Sequence, residues 1–200
     1  MTSPCETHAN KQYDHSYYED AVATLYKQID ASMQVENRQS CVEEMREYMR
    51  RLNLSYQNYE NDLLTGFKVV HVTGTKGKGS TCAFTESLLR NAYGQHTGMF
   101  TSPHLLKVNE RIRLDGKPVS DKDFAAAYFA VRDILLNYGG CNEEVCQEEI
   151  VRSLPSLPGY FRMLTLVALY IFTHFQFDDG NKVDVVILEV GIGGRCVFVR

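Results

Sequence analysis

The sequence has little proline and no excess of glycine. Its 200 residues include five prolines and fourteen glycines, far fewer than low-complexity or collagen-like chains contain. Hydrophobic residues make up 44% and charged residues 23%, which is the balance of an ordinary globular protein. A chain of this length and composition is expected to fold as one domain, with at most an appended arm, around a substantial core.

The sequence also lacks a strong charge of one sign and a long apolar run. Its 21 basic and 25 acidic side chains give a net charge of −4, without the clustered basic face of a nucleic-acid-binding protein. The most apolar stretch, 163–172, is shorter than the roughly 20 residues that a transmembrane helix needs. We therefore expect no nucleic-acid partner and no transmembrane segment, and we interpret 163–172 as part of a buried core helix.

Signals for secretion and for a cysteine metal site are missing as well. Residues 1–10 contain no apolar segment of the kind found in signal peptides, so the six cysteines are expected to be reduced. None of them forms a Cys-x-x-Cys pair. Cys141 and Cys146 have acidic neighbours and no nearby histidine, which favours a solvated loop over a zinc site.

The periodicity of the apolar residues divides the chain into three segments. Residues 1–12 are expected to be disordered, and 13–66 form an N-terminal helical segment. From residue 67 onwards, short apolar runs alternate with helical patterns: strands are predicted at 68–72, 96–102 and 183–190, helices at 80–93, 120–138 and 160–175, and irregular structure at 104–117. This order contains a βαβ unit and predicts an α/β fold, a mostly parallel sheet with flanking helices.

A Gly- and Lys-rich loop, HVTGTKGKGST, spans 71–81 between the first strand and its helix. Gly74, Gly77 and Gly79 allow a ligand to approach the backbone, and the helix N-terminus adds amide donors. Lys78 is suited to contact β- and γ-phosphates, and the Ser80 hydroxyl to bind Mg²⁺. The glycine spacing differs from the usual phosphate-loop and dinucleotide patterns. The pattern favours nucleotide binding over a flexible turn with incidental lysines.

A carboxylate is predicted near the same edge of the sheet. Glu189 ends an apolar strand, and ligands of open α/β sheets bind beyond the carboxyl ends of the strands. Mg²⁺ prefers oxygen ligands, so Glu189 is a candidate metal ligand, as is Ser102 at the end of the second strand. The alternative for Glu189 is a structural ion pair with Arg195 or Lys76.

Basic residues follow the second strand. Lys107, Arg111 and Arg113 form a local patch that suits an anionic substrate, with a solvated edge hairpin as the alternative. His71 is interpreted as a core histidine. His104 is a candidate for contact with substrate, which the sequence does not decide.

Together these segments resemble the folylpolyglutamate synthases of the Mur ligase superfamily. The resemblance rests on the segments at 71–90, 101–118, 159–172 and 183–195, and it extends over 13–195. It implies that 67–200 is an incomplete ATP-binding domain with the phosphate-loop fold of the Mur ligase central domain. It also implies a reaction in which ATP activates the γ-carboxylate of tetrahydrofolate or its polyglutamates as an acyl phosphate, which L-glutamate then attacks.

The resemblance also implies residue roles. Lys78 is the expected catalytic residue, and the loop after Thr101 is expected near the folate. Mg²⁺ is expected on Ser102 and Glu189, in addition to the Ser80 hydroxyl that the loop pattern indicates. The ATP-binding residues are expected to be Thr75, Lys76, Gly77, Lys78, Gly79 and Ser80.

After Arg195 the sequence departs from the family pattern and ends with CVFVR. We therefore expect the family's C-terminal glutamate-ligase domain to be absent, and a truncated chain that turns over poorly or not at all by itself. The alternatives are a non-catalytic nucleotide-binding fragment or pseudoenzyme, and a generic P-loop kinase or GTPase. A monomer in the cytoplasm is expected, with the mitochondrion as the alternative compartment.

Overall fold

The computed structural model describes residues 15–28, 40–54, 66–138 and 154–189. The helices among them are α1 (His15–Tyr26), α2 (Ser40–Arg51), α3 (Lys78–Tyr93), α4 (Asp121–Leu136) and α5 (Tyr160–His174). The strands are β1 (Lys68–Val72), β2 (Thr97–Phe100), β3 (Ile112–Leu114), β4 (Lys117–Pro118) and β5 (Val185–Glu189). A 3₁₀ turn, Val108–Arg111, precedes β3. The expected disorder of 1–12 concerns residues outside these ranges.

One five-stranded sheet, in the order β1–β5–β2–β3–β4, organises the fold. β5 lies between β1 and β2 and runs parallel to both. All five of its residues are buried, as expected for a continuous apolar strand that is covered on both faces. The predicted α/β fold with flanking helices is confirmed, and the expected parallel pairing is present in the two pairings of β5.

An antiparallel hairpin extends the sheet beyond β2. β3 pairs with both β2 and β4, which makes the complete sheet mixed. The expectation of irregular structure is therefore wrong for 112–117, which form β3, the turn and the first residue of β4. The turn residues Asp115 and Gly116 both have positive φ, 46° and 76°, as the tight turns of two-residue hairpins require. The Asp-Gly pair is the local sequence signal for this hairpin.

The helices cover opposite faces of the sheet. Ile187 of β5 packs with Cys82 of α3, whereas its neighbours Val186 and Leu188 belong to the main core, which includes α5. Residues Met163 to Phe172 of α5 are all buried, which confirms the predicted core helix. No helix within the described ranges is long and apolar enough to cross a membrane.

The N-terminal helices share the main core. Leu25 of α1 and Met45 of α2 are fully buried, Leu52 just after α2 is buried as well, and all three lie in one cluster with α4 and α5. The boundary near residue 66 between a helical segment and an ATP-binding domain stays a prediction.

Candidate functional site

The carboxyl ends of the three parallel strands meet at one edge of the sheet. Val72 of β1 is in register with Glu189 of β5, and Phe100 of β2 is in register with Leu188. The Gly- and Lys-rich loop follows β1 at this edge, and Thr101 and Ser102 follow β2. The parallel topology therefore brings together residues that are more than one hundred positions apart.

The loop after β1 turns directly into α3. Gly77, the residue before the helix, has φ 75° and ψ 2°, a left-handed conformation that glycine adopts without strain. The first amides of α3 have no partner within the helix and point out of its N-terminus. Lys78 crosses back over the loop, and its Nζ donates to the Gly74 carbonyl oxygen at 3.0 Å. Thr75, Lys76, Gly79 and Ser80 are exposed around it.

Glu189 lies beside the first turn of α3. A Cβ added to Gly79 would lie 4.0 Å from Oε2 of Glu189, so little more than a glycine separates the helix backbone from this carboxylate. The backbone N–H of Ser102 donates to the same oxygen at 2.9 Å. The structure thus brings Glu189, Gly79 and Ser102 together, with Ser80 adjacent in the same helical turn.

The Glu189 carboxylate is buried, with 5% of the residue exposed. No basic side chain in the described ranges forms an ion pair with it, and Lys76 in particular does not. Arg195, the other partner considered, lies outside these ranges.

Burial and the nearby Glu189 charge raise the pKa of the Cys82 thiol to about 11, so this cysteine is a protonated, unreactive core residue.

The donor set at this edge fits Mg²⁺ better than zinc. The described part of the chain contains no group of three His, Cys, Asp or Glu side chains that could hold a metal by themselves. Mg²⁺ commonly takes one or two protein carboxylates and completes its shell with substrate phosphates and water. The buried Glu189 carboxylate, with the Ser102 backbone bonded to it and Ser80 in the first turn of α3, fits such a partial shell.

A second ordered loop, 101–107, follows β2. Glu110 accepts hydrogen bonds from the backbone N–H groups of Leu105, Leu106 and Lys107, at 2.9, 3.1 and 2.9 Å. These bonds lower the pKa of Glu110, so the carboxylate stays ionised and fixes the loop. Leu105 and Leu106 are about nine-tenths exposed. Sequence reasoning missed Glu110, although a Glu at the third position of a helical turn, which reaches back to the N-cap N–H, is a known capping pattern.

The three basic residues of the predicted patch have different surroundings. Lys107 forms an ion pair with Asp121 at 2.7 Å, and Arg113 donates to the Glu110 carbonyl oxygen. Arg111 is 9% exposed and forms no ion pair with a carboxylate in the described ranges. The edge hairpin considered as the alternative is present, but it does not account for the buried Arg111.

Arg111 is held by a histidine. Its Nε donates to Nδ1 of His104 at 2.8 Å, and Nε2 of His104 lies 3.2 Å from the Tyr26 hydroxyl. Burial and the Arg111 charge lower the pKa of His104, so the neutral imidazole accepts from Arg111 and donates to Tyr26. Tyr26 in turn stacks on Tyr160.

His71, by contrast, is exposed on β1, so its interpretation as a core histidine is wrong.

Comparison with known proteins shows that this chain is similar to folylpolyglutamate synthases from different organisms. The chain is 41% identical over 184 residues to the mitochondrial folylpolyglutamate synthase of Bos taurus, a match that covers 88% of this chain and 28% of that protein. It is 41% identical over 180 residues to an Arabidopsis thaliana folylpolyglutamate synthase, with 89% and 27% covered. The chain thus spans little more than a quarter of the length of these relatives. No protein-family model matches it.

A solved structure shares the fold. The crystal structure of folylpolyglutamate synthase from Thermotoga maritima matches with a TM-score of 0.64 and 28% identity, over 92% of this chain and 35% of that one. A bifunctional folylpolyglutamate synthase/dihydrofolate synthase with Mn, AMPPNP and L-glutamate bound matches with a TM-score of 0.55 and 32% identity, over 78% and 30%.

Proposed function

Because this chain is homologous to the folylpolyglutamate synthases over most of its length, we propose that it supplies the ATP-binding part of such a ligase. The reaction is the addition of L-glutamate to the γ-carboxylate of tetrahydrofolate or its polyglutamates. The observation that carries the proposal is the buried Glu189 carboxylate beside the N-terminus of α3, at the edge where the Gly- and Lys-rich loop begins. ATP and Mg²⁺ are the expected ligands, as the bound AMPPNP and Mn of the structural relative suggest.

The phosphate loop has the groups that a triphosphate needs. The backbone amides of Thr75 to Ser80 and the positive end of α3 attract phosphate oxygens. The Lys78 ammonium exchanges its contact with the Gly74 carbonyl for the β- and γ-phosphates, where its charge stabilises the transferred phosphoryl group. Lys78 is therefore the proposed catalytic residue.

Glu189, with the hydroxyls of Ser102 and Ser80, would hold the divalent cation. When bound, Mg²⁺ neutralises charge on the phosphates during transfer. The Ser102 N–H keeps Glu189 in place through Oε2. The buried carboxylate then gains the positive partner that the described residues do not give it.

The chemistry proceeds in two steps. An oxygen of the substrate γ-carboxylate attacks the γ-phosphorus of ATP, the bond to the β-phosphate oxygen breaks, and ADP leaves. The amine of L-glutamate then attacks the carbonyl carbon of the acyl phosphate, phosphate leaves with the bonding electron pair, and the nitrogen loses a proton. The products are the amide, ADP and phosphate.

The loop 101–107 and Arg111 are proposed to face the folate. Leu105 and Leu106 offer apolar surface on a loop that Glu110 fixes, and Arg111 offers a guanidinium without a carboxylate partner in the described ranges. A folate polyglutamate presents an aromatic ring system and several carboxylates, which suit both features.

We further propose a monomer in the cytoplasm, or in mitochondria as the name of the bovine relative indicates for that protein.

Calorimetry of AMPPNP binding to the purified chain in Mg²⁺ tests the nucleotide site. Lys78→Ala is expected to weaken binding at least about tenfold, since it removes a charge-assisted contact. Lys68→Ala, which removes an exposed lysine from the other end of β1, is the matched control and should bind as the parent does. Equal affinities for the parent and Lys78→Ala would contradict the assignment.

A glutamate-incorporation assay with tetrahydrofolate and Mg-ATP separates a ligase from a kinase or GTPase. Amide product that depends on Lys78 supports the ligase reaction in this chain itself. Nucleotide binding without product supports the alternative of a nucleotide-binding fragment. Phosphate transfer to a hydroxyl, without amide formation, would overturn the ligase proposal.

A further inference from the structure

A histidine lies between two carboxylates at the amino edge of the parallel strands, opposite the candidate site. His96 immediately precedes β2, and its Nδ1 lies 2.8 Å from Oδ2 of Asp115 in the β3–β4 turn. Its Nε2 lies 2.9 Å from Oδ2 of Asp179, in the segment that leads to β5. The ring stacks on Phe177, with the ring centroids 4.0 Å apart. His96 thus connects three segments that are distant in the sequence.

This arrangement requires a charged imidazole. An ionised carboxylate only accepts hydrogen bonds, so each ring nitrogen must carry a proton to form its bond. A neutral imidazole carries one N–H and can satisfy only one of the two carboxylates. The hydrogen bonds to Asp115 and then Asp179 raise the pKa of His96 above its ordinary value.

The other charges around the ring act in the same direction or are paired. The backbone N–H of His96 donates to Oδ2 of Asp184 at 2.8 Å, which adds a third carboxylate beside the residue. On the α3 side, beyond Asp115, Arg90 and Glu86 form an ion pair with each other at 2.7 Å. The charged side chains that shift the pKa of His96 are Asp115 and Asp179, and both raise it.

The two carboxylates are held with different strength. Asp115 also accepts from the backbone N–H of Thr97 at 2.7 Å, and its side chain is 27% exposed. Asp179 is 50% exposed, and its remaining hydrogen bonds go to Asn181 within its own turn. Loss of one ring proton therefore leaves the bond to Asp115 and places the bare Nε2 lone pair opposite Asp179.

We propose that His96, Asp115 and Asp179 form a pH-sensitive clasp. With the imidazole charged, the clasp ties the turn at 176–181 to the sheet. With the imidazole neutral, Asp179 is repelled and rotates into water, whereas the stacking of Phe177 on the ring and the contact of β2 with the β3–β4 turn stay in place.

The sign of the pH dependence follows from the direction of the pKa change. A histidine whose pKa is raised in the folded state stabilises that state fully below its unfolded pKa of about 6.5. This contribution is lost as the pH rises through the folded value. The clasp is therefore closed in mildly acidic solution and opens in the window above about pH 6.5.

NMR of the ring nitrogens in the purified chain, from about pH 5 to pH 9, tests the first part of this proposal. We expect His96 to titrate above the reference value of about 6.5. We also expect hydrogen exchange of the Asn181 amide, which donates to Oδ1 of Asp179, to rise on the order of tenfold across that titration after correction for intrinsic rates, as loss of a charged hydrogen bond implies. A midpoint at or below about 6.5, or exchange that does not change across it, would overturn the clasp.

Two variants keep the test specific. Asp179→Asn removes one clasp carboxylate, and it should lower the His96 midpoint and make exchange of the Asn181 amide independent of pH. Asp178→Asn removes the same charge from the adjacent exposed position and should leave both readouts close to those of the parent. Equal effects of the two variants would show that general charge, and not the clasp, controls the turn, and would contradict the proposal.

Discussion

At the scale of single residues, Glu189 carries the strongest argument for a ligand. A buried carboxylate without a cationic partner is costly, because it has lost its hydration. The hydrogen bond from the Ser102 N–H offsets part of this cost. A cation that arrives with a nucleotide would offset the rest, which is the reason to place the metal at Glu189 and not at an exposed acid.

Glu189→Gln separates the charge from the shape of the side chain. The amide oxygen can still accept from Ser102, but the negative charge is gone. We expect the stimulation of AMPPNP binding by Mg²⁺ to fall at least about tenfold, because a ligand charge is lost from the metal shell. Calorimetry with Mg²⁺ and with EDTA measures this difference, and Glu43→Gln, an exposed acid of α2, is the control. Undiminished Mg²⁺ stimulation in Glu189→Gln would rule out the metal role.

At the scale of elements, the packing of α5 on β2 depends on a glycine. A Cβ at Gly98 would lie 2.7 Å from a ring carbon of Phe172, closer than real Cβ contacts come. The helix therefore approaches the strand more closely than any side chain at position 98 would permit. This contact joins the buried helix to the parallel strands whose other ends form the candidate site.

Gly98→Ala is expected to destabilise the fold by about 1–3 kcal/mol, because the added methyl group overpacks a rigid ring against a strand. Chemical denaturation measures the change in the free energy of unfolding. Leucine at position 172 is smaller and more flexible than phenylalanine. In a Phe172→Leu background, the same Gly98→Ala change should therefore lower the free energy of unfolding by less. If Gly98→Ala lowers the free energy of unfolding equally in both backgrounds, overpacking against Phe172 is not the cause of the destabilisation.

At the scale of the whole molecule, the N-terminal helices and the α/β part share one core. Leu25 of α1 and Met45 of α2 lie in the cluster that contains α4 and α5. Such a shared core favours one cooperative unit over two independent ones. The predicted boundary near residue 66 would then separate parts of the sequence, but not units of folding.

Leu25→Ala tests this view. Removal of a fully buried leucine is expected to cost about 2–5 kcal/mol and to lower the midpoint of a single unfolding transition, followed by circular dichroism. Leu136→Ala, at a leucine that is half exposed, should change the free energy of unfolding by less than about 0.5 kcal/mol. Two separate transitions, with only the first shifted by Leu25→Ala, would show that the helical segment unfolds independently.

Local sequence patterns were sufficient for several elements. The apolar run of β5 and the apolar helix α5 are defined by their own residues, since a segment that is apolar on all sides must be buried on all sides. The Asp-Gly turn of the β3–β4 hairpin also had a local signal, which the irregular interpretation of 104–117 overlooked. His71 was misjudged because its burial depends on what covers an outer strand, and no local pattern encodes that.

The sequence by itself determined the Gly- and Lys-rich loop between a strand and a helix, because backbone freedom and amide donors are local properties. Only the tertiary structure decided which distant groups meet. It set Glu189 beside Gly79 and Ser102, left Arg111 with His104 in place of a carboxylate, and enclosed His96 between Asp115 and Asp179. These contacts join residues of separate strands and turns, and strand order and register fix them through packing of the whole sheet.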